Sequence, residues 1–205
     1  LAKHKDNLFQ LEALLLGQAG FLEKDEKDAY NSELKKEYRF LQTKYKLSPM
    51  EVSQWKLLRL RPDNFPTIRL VQFVDLIHHS SGLFSKVLDT IDSKKLRNLF
   101  SCEVSAYWKR HYLFGNETVV SKKKLGNNSI DILLINTVVP FLFAYGKKRN
   151  DENLTERAIA LLEELKSEKN AVVTKWQSLG LKCESAFDSQ ALLQLKKIYC
   201  DEKKC

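Results

Sequence analysis

Residues 7–22 read N-L-F-Q-L-E-A-L-L-L-G-Q-A-G-F-L, and their apolar pattern indicates which secondary structure this chain uses. Four leucines recur at spacings of three, four and seven residues, which is the period of one face of an α-helix. Two glycines, Gly17 and Gly20, near the end of the stretch allow a second helix to approach closely. The stretch therefore predicts a helix that faces a core. The leucines are Leu8, Leu11, Leu15 and Leu22.

The helical period continues through most of the chain, and no run of alternating polar and apolar residues is long enough to predict a strand. Ser48-Pro49-Met50-Glu51 is a capping box with proline at the first helical position, which predicts a short helix toward Leu60. The sequence therefore predicts an all-α fold, a single bundle-like domain over residues 1–205 with about eight to ten helices. Further helices are predicted over residues 30–45, 67–79, 81–100, 101–112, 130–145, 150–167, 170–179 and 189–199.

Three of the later helices carry end signals. The sequence N-L-T-E from Asn153 is a capping box within the helix predicted over residues 150–167. Gly180 predicts the end of the helix that precedes it, because glycine is the usual residue just past a helix terminus. Asp188 is the predicted cap of the last helix.

Composition and charge limit the class of protein. The chain has 205 residues and a formal net charge of +8, which favours contact with nucleic acid or another anion. Four cysteines are too few for a secreted disulfide scaffold, so we expect reduced thiols and a cytoplasmic location. The apolar run from Ile130 to Tyr145 contains Asp131 and Pro140, so we interpret it as a buried helix and expect no membrane partner.

The sequence R-L-R-P-D-N-F-P-T-I-R-L, residues 59–70, is the first candidate site. Arginine presents a planar fork that binds phosphate or carboxylate with two parallel bonds, and a helix beginning at Pro66 adds free N–H groups. The alternative is a structural corner in which the prolines fix a turn and Phe65 fills the core. The candidate anion-binding residues here are Arg59, Arg61, Asn64 and Arg69.

Residues 115–128 are polar and predict an exposed loop. Lys122, Lys123 and Lys124 lie together in it and are the second candidate contact with nucleic acid, one that should weaken as salt rises. The ordinary interpretation of such a run is a solvated loop.

Motifs of catalysis are missing from the sequence. His111 and the pair His78-His79 have no nucleophile or acid at a recognisable spacing. Glu12 and Asp28 lie far apart in the sequence, and nothing there makes them a catalytic pair. We therefore expect no catalysis by this chain alone.

Six stretches, in order along the chain, carry a family resemblance. They are E-A-L-L-L-G-Q-A-G-F-L (12–22), W-K-L-L-R-L-R-P-D-N-F-P-T-I-R-L (55–70), Y-W-K-R-H-Y (107–112), N-T-V-V-P-F-L-F-A-Y-G (136–146), E-K-N-A-V-V-T-K-W (168–176) and D-S-Q-A-L-L-Q-L-K-K-I-Y-C-D-E-K-K-C (188–205). Together they resemble a bacterial family called domain of unknown function 2851. The resemblance implies a further upstream region, rich in strands and similar to metal-dependent nucleases, so the chain is expected to be the carboxy-terminal helical half.

Cys183, Cys200 and Cys205 form an incomplete candidate metal set. Thiolates hold zinc or an iron–sulfur cluster, but four ligands are the usual number. The resemblance implies that another cysteine follows Cys205 in family members, so either metal is expected only in the full-length protein. Reduced thiols near the end of the chain are the alternative.

Three functions remain open from the sequence. The first is a helical accessory domain that contacts nucleic acid or another anion through the arginine corner and the lysine loop. The second is a helper domain for a metal-dependent hydrolase or nuclease whose catalytic residues lie in an upstream partner region of the same protein. The third is a self-associating structural module, and the sequence does not indicate an oligomeric state.

Overall fold

The computed structural model describes residues 1–23 and 28–204. This part of the chain forms nine α-helices and no β-strand, which confirms the predicted all-α class. Two isolated antiparallel bridges join His111 to Glu117 and Lys166 to Ser185. The helices are α1 (Leu8–Gln18), α2 (Ala29–Tyr45), α3 (Pro66–His79), α4 (Leu83–Asp89), α5 (Ser93–Leu99), α6 (Asn127–Arg149), α7 (Glu152–Glu164), α8 (Ala171–Ser178) and α9 (Ala186–Leu195).

The chain divides into two compact units. Unit 1 comprises residues 1–81 and 100–125, and unit 2 comprises residues 82–99 together with the chain from residue 126 onward. This division does not test the prediction of one domain over residues 1–205, which stays a prediction.

The core of unit 1 forms around α1, which is buried on nearly all sides. Leu16 and Trp108 are fully buried there, and Tyr38 of α2 packs against the same cluster. A Cβ added at Gly17 would overlap the ring of Tyr38, so only glycine lets α2 approach this closely. The predicted role of Gly17 is therefore confirmed.

The helix predicted after Ser48 is wrong. Residues 48–60 contain one short 3₁₀ turn, Val52–Gln54, and are otherwise extended or irregular. The backbone N–H of Met50 donates to the Gln18 carbonyl at 2.8 Å, and Trp55 Nε1 donates to the Ala19 carbonyl at 2.8 Å. The segment thus satisfies carbonyls that the end of α1 leaves without partners, and these hydrogen bonds prevail over the local capping signal.

The helix predicted over residues 101–112 is also wrong, since only the short 3₁₀ turn Tyr107–Lys109 forms there. The polar loop that follows folds back on this segment. Thr118 N donates to the Arg110 carbonyl at 2.6 Å, and Ser121 N donates to the Lys109 carbonyl at 2.9 Å. The backbone at the end of this segment thus pairs with the loop that follows it.

Unit 2 is built on α6, which packs chiefly against α7. Gly146 permits the contact, because a Cβ there would come within 2.9 Å of Thr155 Cγ2. Arg157 of α7 donates to the carbonyls of Val87 (2.7 Å) and Leu88 (2.6 Å) and also to that of Thr90, and so satisfies the end of α4.

Helix α6 is longer than the sequence indicated. It has 23 residues, with a π-helical turn at Leu134–Val138, and is long and apolar enough by length and composition to cross a membrane. Of its most apolar window, 39% is buried within the protein. The helix predicted over residues 130–145 therefore forms and extends beyond both predicted ends. A core helix of a soluble protein passes the same test, so the absence of a membrane partner stays a prediction.

Two helices begin at residues other than those predicted from the sequence. The cap of α7 is Asp151, whose side chain accepts from Leu154 N at 3.3 Å, and not the box at Asn153. Helix α9 begins at Ala186, and Ser185 and Asp188 exchange the two hydrogen bonds of a capping box. Asp188 therefore lies inside the first turn rather than before it. The predicted stop at Gly180, where φ is +88°, is confirmed.

Candidate anion-binding site

The arginine corner leads into α3 through two prolines. Pro62 begins a short 3₁₀ turn, Pro62–Asn64, and Pro66 is the first residue of α3. Phe65 between them packs against the core cluster of unit 1. Arg59 and Arg61 are exposed on the approach to this turn. The corner is therefore stiff and anchored, and it carries exposed cations on its outer side.

Arg69 is held inside the corner. Its Nη2 donates to Asn64 Oδ1 at 2.6 Å, and its Nη1 donates to Gln72 Oε1 at 3.0 Å. Asn64 and Gln72 thus both accept hydrogen bonds from the Arg69 guanidinium group. Arg69 and Asn64 brace the turn against the first turns of α3, and their polar groups are engaged with each other.

Tyr112 joins the corner to the lysine loop. Its hydroxyl donates to Asp63 Oδ1 at 2.9 Å, and its carbonyl accepts from Thr67 Oγ1 at 2.6 Å. Gln72 Nε2 adds a bond to the Lys123 carbonyl at 2.9 Å. The two candidate segments, far apart in sequence, are therefore neighbours in unit 1.

Within the lysine run, Lys123 contradicts the prediction of an exposed loop because its side chain is buried, with 7% of its surface exposed. Its Nζ donates to the carbonyls of Trp108 at 2.6 Å and His111 at 2.8 Å, and lies 3.7 Å from the ring centre of Tyr112. Burial lowers the pKa of Lys123, and these acceptors compensate the buried ammonium.

The other two lysines of the run are exposed. Lys124 forms a salt bridge with Glu103, whose carboxylate also lies 3.9 Å from Lys109 Nζ. The hydrogen bond from Lys124 and the charges around it lower the pKa of Glu103. Glu103 therefore neutralises part of this basic region and leaves Lys122 as its most available cation.

The net positive charge of the chain is concentrated in the two joined segments, because they contain few acidic residues. Residues 56–69 and 109–124 contain nine Lys and Arg residues against two acidic residues, a formal charge of +7 in a chain whose total is +8. The side chains of Arg59, Arg61 and Lys122 are exposed and make no hydrogen bond or salt bridge with the described residues. We call these three residues the basic surface. Their guanidinium and ammonium groups are available to bind an anion.

A buried acid near the same core was not predicted from the sequence. Glu12 is 1% exposed, and its Oε2 accepts from Tyr30 Oη at 2.6 Å and Trp108 Nε1 at 3.1 Å. Burial raises the pKa of Glu12, because neutral donors replace water only in part. The sequence signal was available: an acid stands in the middle of an apolar helical run.

Asp28 belongs to the same assembly of side chains. It accepts from Tyr107 Oη and, at 3.0 Å, from Gly115 N. Burial opposes ionisation, but these hydrogen bonds outweigh it and lower the pKa of Asp28. The rings of Tyr107 and Tyr30 stack with centres 4.3 Å apart, so Asp28 and Glu12 are linked through two stacked tyrosines. Since Glu12 is sealed from solvent, we assign this group a structural role.

The cysteine set is described only in part. Cys183 is buried, which raises the pKa of its thiol, and Cys200 is exposed. Cys205 lies outside the described residues, so the complete set stays a prediction. Among the residues that the structure describes, no group of three or more His, Cys, Asp or Glu side chains could hold a metal ion.

A family model described as "protein of unknown function (DUF2851)" matches residues 1–171. This chain belongs to the DUF2851 family. The DUF2851 match includes the corner, the lysine loop and α1 to α7, and it ends at the first residue of α8, before Cys183. The match does not bear out the expected placement in a carboxy-terminal half. No curated protein and no solved structure matches the chain.

Proposed function

We propose that this chain is a helical accessory domain that binds the phosphate backbone of nucleic acid through the basic surface. The observation that carries the proposal is the concentration of formal charge, +7 of the total +8, in two segments joined by Tyr112 and Gln72. A field of one sign over a limited area attracts a polyanion and speeds its association.

The chemistry of the three residues fits a phosphate backbone. A guanidinium group can hold two phosphate oxygens at once, whereas the ammonium of Lys122 acts as a point charge. Contacts of this kind fix the position of the nucleic acid and do not distinguish its sequence. We therefore expect binding to duplexes of different sequence with similar affinity.

The braced neighbours support the same proposal. Arg69 donates hydrogen bonds to Asn64 and Gln72, and Lys123 donates to backbone carbonyls. These bonds restrain the two segments that carry Arg59, Arg61 and Lys122. A rigid base reduces the conformational entropy that binding would otherwise cost.

The test is fluorescence anisotropy with a labelled duplex of about 20 base pairs at low salt, a length that spans several phosphate contacts. The variant Arg59→Ala/Arg61→Ala/Lys122→Ala is expected to lose most of the affinity. The matched control Lys94→Ala/Lys148→Ala/Lys169→Ala removes three exposed lysines of unit 2 and the same charge. Equal loss in both variants would show that net charge alone governs binding and would reject the proposed surface.

Self-association is a second candidate, supported by a cluster of aromatic side chains on unit 2. The ring centre of Phe84 lies 4.8 Å from that of Phe141 and 5.4 Å from that of Tyr145. Phe84 and Phe141 remain exposed by 46% and 36% of their surface. Exposed aromatic clusters of this kind are typical of contact surfaces.

Sedimentation equilibrium tests this candidate. A dimer that dissociates in the variant Phe84→Ser/Phe141→Ser would support it. A wild-type protein that sediments as a monomer at every concentration would reject it, and the duplex measurement is independent of both outcomes.

A further inference from the structure

The most exposed large apolar side chain of the described residues lies beside a cation of the basic surface. Leu58 is 90% exposed and immediately precedes Arg59. These two are the central residues of a β-turn, which Leu60 N closes by donating to the Leu57 carbonyl at 3.3 Å. Glycine, proline and short polar residues usually occupy the centre of a turn, so turn formation does not explain a leucine at this tip.

Aromatic side chains of unit 1 hold the turn at both ends. Before the turn, the ring centre of Trp55 lies 5.7 Å from that of Phe21, and Trp55 Nε1 donates to the Ala19 carbonyl at 2.8 Å. After the turn, Phe65 packs against the core cluster. Leu58 is therefore carried on a short loop that is restrained on both sides. Such a loop loses little conformational entropy when its tip is buried in a complex.

The lysine loop shows the same combination of exposed apolar and basic side chains. The backbone N–H groups of Thr118 and Ser121 donate to the carbonyls of two adjacent residues in the opposite segment. Val119 and Val120 lie between these pairs and therefore form a bulge, in which 89% and 55% of their surface is exposed. Lys122 of the basic surface lies two residues beyond Val120. Both joined segments thus expose aliphatic side chains close in sequence to the cations.

Contact with phosphates accounts for the cations of these segments but not for their aliphatic side chains. An exposed leucine or valine gains free energy only where a partner removes it from water. The apolar surface of a duplex lies in the faces of its stacked bases. Proteins reach that surface by inserting an apolar side chain, often leucine, between neighbouring base pairs, which unstacks them and kinks the duplex.

We propose that Leu58 inserts between base pairs of the bound duplex, and that the preferred ligand is a duplex in which mismatched pairs have already weakened the stacking. This contact rests on the proposed function, because Arg59 and Arg61 hold the phosphate backbone while the leucine reaches the bases. A mismatched step costs less to open than a paired one, so the same insertion gives a tighter complex there.

The test is fluorescence anisotropy of the full chain with two labelled duplexes of about 20 base pairs, which differ only in two adjacent mismatched pairs at the centre. Both duplexes offer the same number of phosphates to the basic surface. We expect the mismatched duplex to bind about tenfold more tightly. In Leu58→Ser this ratio should fall toward one. The salt dependence of its affinity should stay at the wild-type value, because no cation is removed.

Leu179→Ser is the matched control, since Leu179 is an exposed leucine of unit 2, and it should keep the wild-type ratio. A Leu58→Ser protein that retained the ratio, or a wild-type protein that bound the two duplexes equally, would overturn the insertion and leave the proposed function standing. Absence of binding to either duplex at low salt would reject the proposed function itself, and the insertion with it.

Vesicles of phosphatidylserine and phosphatidylcholine provide a second comparison, because exposed aliphatic side chains beside cations also suit an anionic membrane surface. We expect Leu58→Ser and wild type to behave alike toward these vesicles. If Leu58→Ser lost binding to the vesicles and kept the wild-type ratio for the duplexes, Leu58 would be a membrane contact and the insertion would be wrong.

Discussion

Arg59 adopts a backbone conformation that is unfavourable for its residue type. Its φ is +65°, in the left-handed region that favours glycine, and an L-residue with a Cβ pays roughly 1–2 kcal/mol there. The side chain is exposed and makes no hydrogen bond within the described protein that would compensate this cost. Arg59 is the third residue of a turn in which Leu60 N donates to the Leu57 carbonyl at 3.3 Å, a position that often requires a positive φ.

Replacing Arg59 by Gly should therefore separate stability from binding. We expect Arg59→Gly to raise the free energy of unfolding by about 1 kcal/mol, because glycine adopts this φ without strain. Affinity for duplex DNA should fall at the same time. Urea denaturation and anisotropy titration measure the two quantities.

Arg61→Gly is the matched control, since the φ of Arg61 is −67° and glycine gains nothing there. This variant should lower both stability and affinity. If Arg59→Gly were destabilising, the strain assigned to Arg59 would be wrong.

Glu12 predicts a specific dependence of stability on pH. Burial raises its pKa above the ordinary value of 4.5, so the folded state holds the proton more tightly than the unfolded chain does. The stabilisation is complete below the unfolded-state pKa and is lost as pH rises through the folded-state pKa. Glu12→Gln removes this titration and keeps an oxygen that accepts from Tyr30 and Trp108.

Chemical denaturation at a series of pH values from 4 upward measures the difference. The free energy of unfolding of Glu12→Gln, relative to wild type, should increase as pH rises. Parallel curves for the two proteins would mean that the Glu12 carboxyl titrates alike in the folded and unfolded chains.

At the scale of elements, the close approach of α1 and α2 requires glycine at position 17. In Gly17→Ala the new methyl group would overlap the buried ring of Tyr38, and Tyr38 has no free space to move into. We expect a loss of about 1–3 kcal/mol in stability, the usual cost of overfilling a core. Thermal unfolding followed by circular dichroism will measure it.

Gly126→Ala serves as the control for this prediction. It is the cap of α6, has a φ of −69°, and a Cβ there meets nothing within 4 Å. Its stability should change little. If the two alanine variants unfolded at the same temperature, close approach at Gly17 would not be a determinant of the fold.

Helices with their own apolar period were predictable from the sequence, whereas segments fixed by distant partners were not. Residues 67–79 carry the period and a leading proline, and α3 forms there. Residues 48–60 carry a good capping box but bond to the end of α1, which no local pattern reveals.

The same distinction applies to the candidate site. Residue types alone identified Arg59, Arg61 and the three lysines as cations that could contact an anion. Their different environments depend on Tyr112, Gln72 and Glu103, which come from other segments. The sequence therefore located the basic region. Only the fold shows that the Lys123 side chain is engaged in hydrogen bonds within the protein, whereas those of Arg59, Arg61 and Lys122 are exposed.

At the scale of the whole molecule, the charge distribution determines how the chain meets a polyanion. Residues outside the two joined segments contribute a formal charge of only +1. A duplex should therefore bind at one region, and the number of phosphates neutralised there should be visible in the salt dependence.

The most direct measurement is the slope of the logarithm of duplex affinity against the logarithm of salt concentration. Each phosphate contact contributes about −0.9 to this slope, so Arg59→Ala/Arg61→Ala/Lys122→Ala should be shallower than wild type by about 2 to 3. The unit 2 control should keep the wild-type slope. Equal slopes for wild type and the basic-surface variant would contradict the proposed contact.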